Sequence, residues 1–323
     1  MSSSSSPSRQ PGPPPPTAQA WLLFLVISML GGSSFSAIKI SIDTATPFMV
    51  AAGRLWISTI ALYIYMKTTG RTFPPLREKG GGWSPVWGFA LAIGVVGYAV
   101  PMVLFPFAQQ SVSSLLAGIY MAFMPIATVV LAALFADEPV TKRKLLGFLA
   151  GVLGVGILIG PAAVKNILGE SIIAQVTLII GTIGYAVAVV VTRKAPPVAA
   201  RSFAVMMMLI AAILVTPFAL TEFDQLRNIS PQSWAGIVYL GLLPTATTAI
   251  MIIHLVRTAG AGFMAMCNYV TPVTAIAFGV LLFGEAVEWK HLFGLAAILS
   301  GIAISQPETI ERIRQSIVTT RKS

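Results

Sequence analysis

From Trp21 to Gln306 the chain repeats one unit: a long apolar run closed by a short polar connection. A helix needs about 20 mostly apolar residues to cross a hydrocarbon core of ~30 Å. Strands of a membrane barrel would instead alternate apolar and polar residues over about 10 positions. Runs such as Val129 to Phe135 (VVLAALF) do not alternate. In lipid the backbone must satisfy its own hydrogen bonds, which such runs achieve as helices. The pattern predicts an all-α polytopic membrane protein with ten transmembrane helices, at 19–41, 47–66, 86–108, 112–136, 143–160, 170–191, 202–221, 233–257, 263–283 and 290–306.

Composition agrees. Of 323 residues, 56% are hydrophobic and 10% charged, against about 25% charged in soluble domains. Mean hydropathy is +0.83. Ten spans use roughly 200 positions, which leaves short connections and two tails, with no room for a soluble catalytic domain. Residues 1–18 are rich in Ser and Pro and read as a disordered tail, without a small-residue cleavage site in the apolar run behind it. Residues 307–323 form a basic tail, either solvated or lying on an anionic inner leaflet.

The net charge of +10 reports topology rather than nucleic-acid binding. With the N-terminus in the cytoplasm, 16 of the 21 basic residues fall on the inner side. Lys39, Lys165, Arg227 and Lys290 fall outside, and Arg54 lies within the second span. Basic residues concentrate on the cytoplasmic side of membrane proteins. The expectation is a multi-pass protein of a bacterial-type inner membrane with both termini cytoplasmic. Cys267 is the single cysteine and the two histidines are His254 and His291, so no intramolecular disulfide, metal site or cofactor is expected.

Residues 125–154 and 272–301 align without a gap at an offset of 147. Pro125/Pro272, Leu134/Leu281, Glu138/Glu285, Val140/Val287, Leu145/Leu292, Gly147/Gly294, Ala150/Ala297 and Gly154/Gly301 are identical. The matches fall across spans 4–5 and 9–10. The chain therefore divides into a first five-helix repeat, 19–160, and a second, 161–306. Five is odd, so the halves enter the membrane with opposite orientation. Such inverted repeats are used by secondary transporters, which rock one half against the other around a site near the midplane.

These residues carry a family resemblance. Pro125 through Phe135 and Glu138 to Gly147 and Gly154 resembles the P…L…E…LG…G signature of EamA-type carriers of the drug/metabolite transporter superfamily. Pro272, Glu285 and Gly294 repeat it. GGSSFSAIK at 31–39 is similar to the family's WG-x-x-F-x-x-x-K opening, with Gly31 in place of the tryptophan. Pro47 with Arg54 resembles its second-span pattern, and Tyr185 to Lys194 resembles the matching element of the second half. The resemblance implies ten helices, transport without covalent chemistry, and a small-molecule substrate in a lipid bilayer, as a monomer or weak homodimer. Within the family the chain is similar in general character to the YddG-type exporters of aromatic amino acids.

Candidate substrate contacts are the polar and aromatic residues near mid-span: Ser33, Ser34, Tyr98, Tyr120, Tyr185, Thr245, Asn268 and Tyr269. Phenols offer an apolar face and a hydrogen-bonding tip. Any single tyrosine is also readable as a packing residue, the more frequent role of the two. Arg54 lies about 10 Å below the outer surface at 1.5 Å per residue, where an arginine needs a partner or a wet cavity. It either attracts a substrate carboxylate or pins helix packing. Pro101, Pro125, Pro244 and Pro272 fall inside spans; each removes an N–H and frees a carbonyl, as gating hinges or as plain kinks. Spans 3, 4, 6, 7 and 9 hold no acidic residue in their interiors, which favours a facilitator or exchanger over ion coupling. Glu138 and Glu285 read as caps of the helices that follow them, or as residues of a vestibule. Gly147, Gly151, Gly154, Gly156 and Gly160 predict close packing of the fifth span against a neighbour.

The expected function is export of small amphipathic metabolites, foremost amino acids with aromatic side chains, by alternating access. The alternative is a proton-coupled exporter of cationic amphipaths. A membrane enzyme would need an acid/base or nucleophile constellation at depth, for which Cys267 and distant His254 are a poor basis, and a channel fits the two-half symmetry less well.

Overall fold

The computed structural model describes residues 17–78, 80–135, 142–164, 170–259 and 267–305. Helix α1 is Ala18–Ser41 and α2 is Pro47–Thr68. Helix α3 is Pro85–Gln109 and contains a π-helical turn, Gly94–Ala99. Then come α4, Ser114–Met121, and α5, Met124–Phe135. Helices α6, α7 and α8 are Lys142–Val164, Glu170–Lys194 and Ala200–Leu220. Pro231–Leu240, a second π-helical turn Gly241–Thr247, and Thr248–Ala259 run on as one helix, α9. Helices α10 and α11 are Cys267–Phe283 and Trp289–Ser305.

The helices begin where sequence chemistry provides for their free N–H groups. Hydroxyls of Thr17, Thr46, Ser113 and Ser230 accept from the backbone N–H three residues on, at 3.1–3.3 Å. Pro47, Pro85 and Pro231 occupy first-turn positions, where the missing N–H costs nothing.

Among the described residues, six helices are long and apolar enough to cross a membrane on their own: α1, α2, α3, α7, α8 and α9. The fourth expected span differs from the expectation, being broken into α4 and α5. At the break Ala122 N bonds to Ile119 O and Phe123 N to Tyr120 O, tighter turns than an α-helix makes. Pro125 follows, and its ring and missing N–H disfavour helix continuation at the preceding turn.

Packing follows a pattern of exchanged partners. Helix α2 lies along α8, α6 along α11, and α4 against α10. Helix α3 packs on α7, and α9 packs on α1; α5 packs on α7, and α10 on α1. The α6–α11 contact uses the glycines read from the sequence. A methyl group on Gly154 would lie 2.8 Å from the Gly294 carbonyl oxygen, and one on Gly301 would lie 2.5 Å from that of Gly147. Only glycine lets these backbones approach so closely.

Candidate functional site

The centre of the site is built by a proline. Pro244 has no N–H, so the Leu240 carbonyl one turn earlier loses its helical donor. The helix widens there into the π-helical turn Gly241–Thr247. The Thr245 hydroxyl donates to the freed Leu240 oxygen at 2.7 Å. Its own oxygen then accepts Arg54 Nε–H at 2.7 Å. Gly241 makes the approach possible: a methyl group there would sit 3.1 Å from the Arg54 carbonyl oxygen and 2.7 Å from Ile57.

Arg54 is 8% exposed and lies in the middle third of α2. The Nε bond is its one hydrogen bond to a described residue. The described acidic side chains Asp43, Glu78, Glu222, Asp224, Glu285 and Glu288 all lie in connections or irregular turns, outside the long helices. No hydrogen bond joins the terminal guanidinium nitrogens to a described residue. Tyr98 and Tyr185 both interact electrostatically with this guanidinium. Tyr98 belongs to the π-helical turn of α3, and Tyr185 to α7. Tyr185 lies 5.9 Å from the Phe105 ring, which lies 5.8 Å from Phe35. Arg54, Tyr98 and Tyr185 thus come from three helices into one electrostatic neighbourhood, and Tyr185 continues into a run of aromatic rings.

The structure brings together Arg54, Tyr98, Tyr185 and Thr245. Ser33 shares a 2.7 Å hydrogen bond with Tyr239 OH, and Ser34 is buried in α1. Tyr120 does not join them: it is fully buried, with its hydroxyl donating to Gln175 Oε1 at 2.7 Å. The side chains of Asn268 and Tyr269 lie outside the described residues. Pro244 sits within one π-helical turn, Pro101 just after the other, and Pro125 just after the α4–α5 break. Pro272 lies inside an unbroken α10.

Sequence reasoning passed over Tyr239 and Gln175, because one partner of each pair comes from a remote helix. It also passed over Gln109, fully buried, whose amide nitrogen donates to Phe35 O at 3.1 Å. The Gln109 backbone carbonyl oxygen accepts from Lys39 Nζ at 3.1 Å, tying the ends of α1 and α3.

Glu285 corrects an expectation. It caps a helix, but not the one that follows it. Helix α10 ends at Gly284, whose φ of +63° turns the chain back. Glu285 Oε1 then accepts from Ser114 N and Oγ at 2.9 Å each, and Oε2 from Leu115 N at 2.8 Å. The carboxylate sits on the N-terminus of α4, 170 residues away, where the helix dipole favours it. Glu138 lies outside the described residues.

A family model for EamA-like transporters matches the chain twice, over residues 19–160 and 172–305. The chain belongs to the EamA-like transporter family. Relatives of this EamA protein cover nearly its whole length. The uncharacterized transporter YdfC of Bacillus subtilis (strain 168) is 23% identical over 90% of this chain and 91% of its own. The inner membrane transporter YedA of Escherichia coli (strain K12) is 26% identical over 82% and 84%. A protein of Streptantibioticus cattleyicolor described as a probable terminal-alkyne amino-acid exporter is 21% identical over 94% and 98%. A solved crystal structure aligns with a TM-score of 0.61 and 17% identity, over 90% of this chain and 98% of that one, which shows a shared fold.

Proposed function

We propose that this EamA protein is a secondary transporter that exports small amphipathic metabolites, foremost amino acids with aromatic side chains. The observation that carries the reading is Arg54: a guanidinium 8% exposed, held by Nε on Thr245, with its terminal nitrogens unused by any described residue. A buried cation in a membrane bundle is costly and marks a substrate or ion path. An anionic group bound there would gain charge-assisted hydrogen bonds, and the phenols of Tyr98 and Tyr185 would face a flat or apolar side chain. The Streptantibioticus relative, named for amino-acid export, supports the same class.

Transport would proceed by alternating access between two inverted halves of five spans each, without covalent chemistry. The double family match and the exchanged helix partners support this arrangement. The two π-helical turns support it too, since they begin at Gly94 and Gly241, at the offset of 147 seen in the signature repeats. Charge asymmetry supports cytoplasmic termini. Absence of an acidic residue from the interiors of spans 3, 4, 6, 7 and 9 supports a facilitator or exchanger.

The test is counterflow in liposomes, following labelled phenylalanine or tryptophan beside a cationic dye, with and without a pH gradient. Amino-acid counterflow indifferent to the gradient, and lost in Arg54→Gln, is expected. Gradient-driven dye movement without amino-acid exchange would overturn the reading in favour of proton-coupled export of cationic amphipaths.

A further inference from the structure

The two π-helical turns allow the site to be compared with its own counterpart in the other half. A methyl group on Gly241 would meet the Arg54 carbonyl oxygen at 3.1 Å and the Ile57 side chain at 2.7 Å. A methyl group on Gly94 would meet the Met207 carbonyl oxygen at 2.9 Å and the Ile210 side chain at 3.1 Å. Gly94 corresponds to Gly241 at an offset of 147, so Arg54 corresponds to Met207 and Ile57 to Ile210, each at an offset of 153. The extra six residues have a plain source. The connection 69–84 between α2 and α3 has 16 residues, and the connection 221–230 between α8 and α9 has 10. Arg54 and Met207 thus occupy equivalent places, and each is 8% exposed.

Their neighbours are exchanged in the same way. Thr245, which holds Arg54, corresponds to Tyr98 at the offset of 147. Met207 belongs to a buried apolar cluster against which Tyr98 packs. Where one half offers a cation on a hydroxyl, the other offers a thioether in an apolar cluster that also takes in the Tyr98 ring. Packing is shared between the halves and charge is not.

From this broken symmetry we infer that Arg54 and Met207 are the specificity-determining pair of the carrier. Arg54 reads an anionic end, Met207 an apolar end, and the ligand class is small organic monocarboxylates with an apolar tail, bound in one orientation. An ammonium group adds little, because the acidic side chains described lie in connections or at helix ends. Methionine suits the apolar position because its flexible, polarizable side chain adapts to tails of different shape. The inference rests on the reading of Arg54 as a substrate contact, and extends it from amino acids to the carboxylate and tail they share.

The test measures binding apart from transport, by thermal shift of the purified full-length carrier with 3-phenylpropionate, phenylalanine or phenethylamine. The two carboxylates are expected to stabilise the wild type with apparent affinities within about threefold of each other, and phenethylamine to bind at least tenfold more weakly; tenfold corresponds to about 1.4 kcal/mol. Arg54→Met should abolish both carboxylate shifts, and the exchange Arg54→Met/Met207→Arg should recover them. Met207→Gln, close in size, should lower the preference for 3-phenylpropionate over propionate at least threefold, and keeps the test decisive if the exchanged protein does not fold. Stabilisation by phenethylamine equal to that by phenylalanine would overturn the inference. So would no shift with any of the three, or an unchanged tail preference in Met207→Gln. Carboxylate binding without counterflow would sink the transport reading alone.

Discussion

Arg54 and Thr245 are 191 residues apart in the chain and 2.7 Å apart in space. The bond joins α2 to the π-helical turn of α9 and fixes the direction of the one buried guanidinium described. Replacing Thr245 with valine keeps the shape and removes the acceptor. Hydrogen bonds to charged groups contribute about 1.5–3 kcal/mol, so Thr245→Val is expected to lower the thermal unfolding temperature and weaken phenylalanine counterflow. Thr245→Ser should preserve both.

Pro244 should matter for alignment more than for stability. Pro244→Ala returns an N–H to the Leu240 carbonyl and favours a regular α-helix over the π-helical turn. Proline inside a helix costs about 3 kcal/mol, so the variant is expected to unfold no earlier than the wild type. With Thr245 rotated away from Arg54, transport should fall severalfold. Counterflow and thermal unfolding measured on the same preparation separate the two effects.

Glu285 is bound by three donors at the start of α4. Glu285→Gln removes the charge at the helix terminus and one acceptor oxygen. A loss of about 1–3 kcal/mol is expected, read as a lower unfolding temperature. Substitution of Gly279 should do the same from the other side, since a methyl group there would lie 2.5 Å from Glu285 Oε2.

The reciprocal contacts of α6 and α11 predict matched effects. Gly154→Ala and Gly301→Ala each place a methyl group against backbone, at 2.8 Å and 2.5 Å from the facing carbonyl oxygens. Overpacking of this kind costs about 1–3 kcal/mol. Both variants should be destabilised to a similar degree in detergent, and the double variant by less than the sum, because one separation of the helices relieves both.

Glu288 provides a control. Its carboxyl is held below the ordinary carboxylate range, chiefly by a hydrogen bond with Lys290, whose Nζ lies 2.9 Å away. A lowered value contributes stability above the unfolded-state pKa and loses it as pH falls through the folded one. Between pH 5 and 8 the group stays ionised, so the contribution is constant. The pair is solvent-exposed, and such pairs contribute little. Glu288→Gln should leave the unfolding temperature unchanged across that range.

The helices, their caps and the glycine seam of α6 were legible along the chain because each depends on neighbours within a turn or on composition over a span. Thr46 before Pro47 starts a helix whatever lies beside it, and Gly154 permits close approach whichever helix comes near. Arg54 was recognisable as anomalous for the same reason, since a charge in an apolar run stands out without a partner in view. The partners were not legible. Thr245 resembles any other threonine until the proline before it widens the helix and turns its hydroxyl toward α2. Tyr120 looked as suitable as Tyr185, yet folding buried one against Gln175 and set the other near the guanidinium. Glu285 was readable as a cap, but the helix it caps lies about 170 residues earlier in the chain. Local sequence determined which segments are helical and which residues are chemically costly to bury. Tertiary structure alone decided which of those residues meet, because that depends on how helices remote in sequence pack, and no pattern within a single span encodes it.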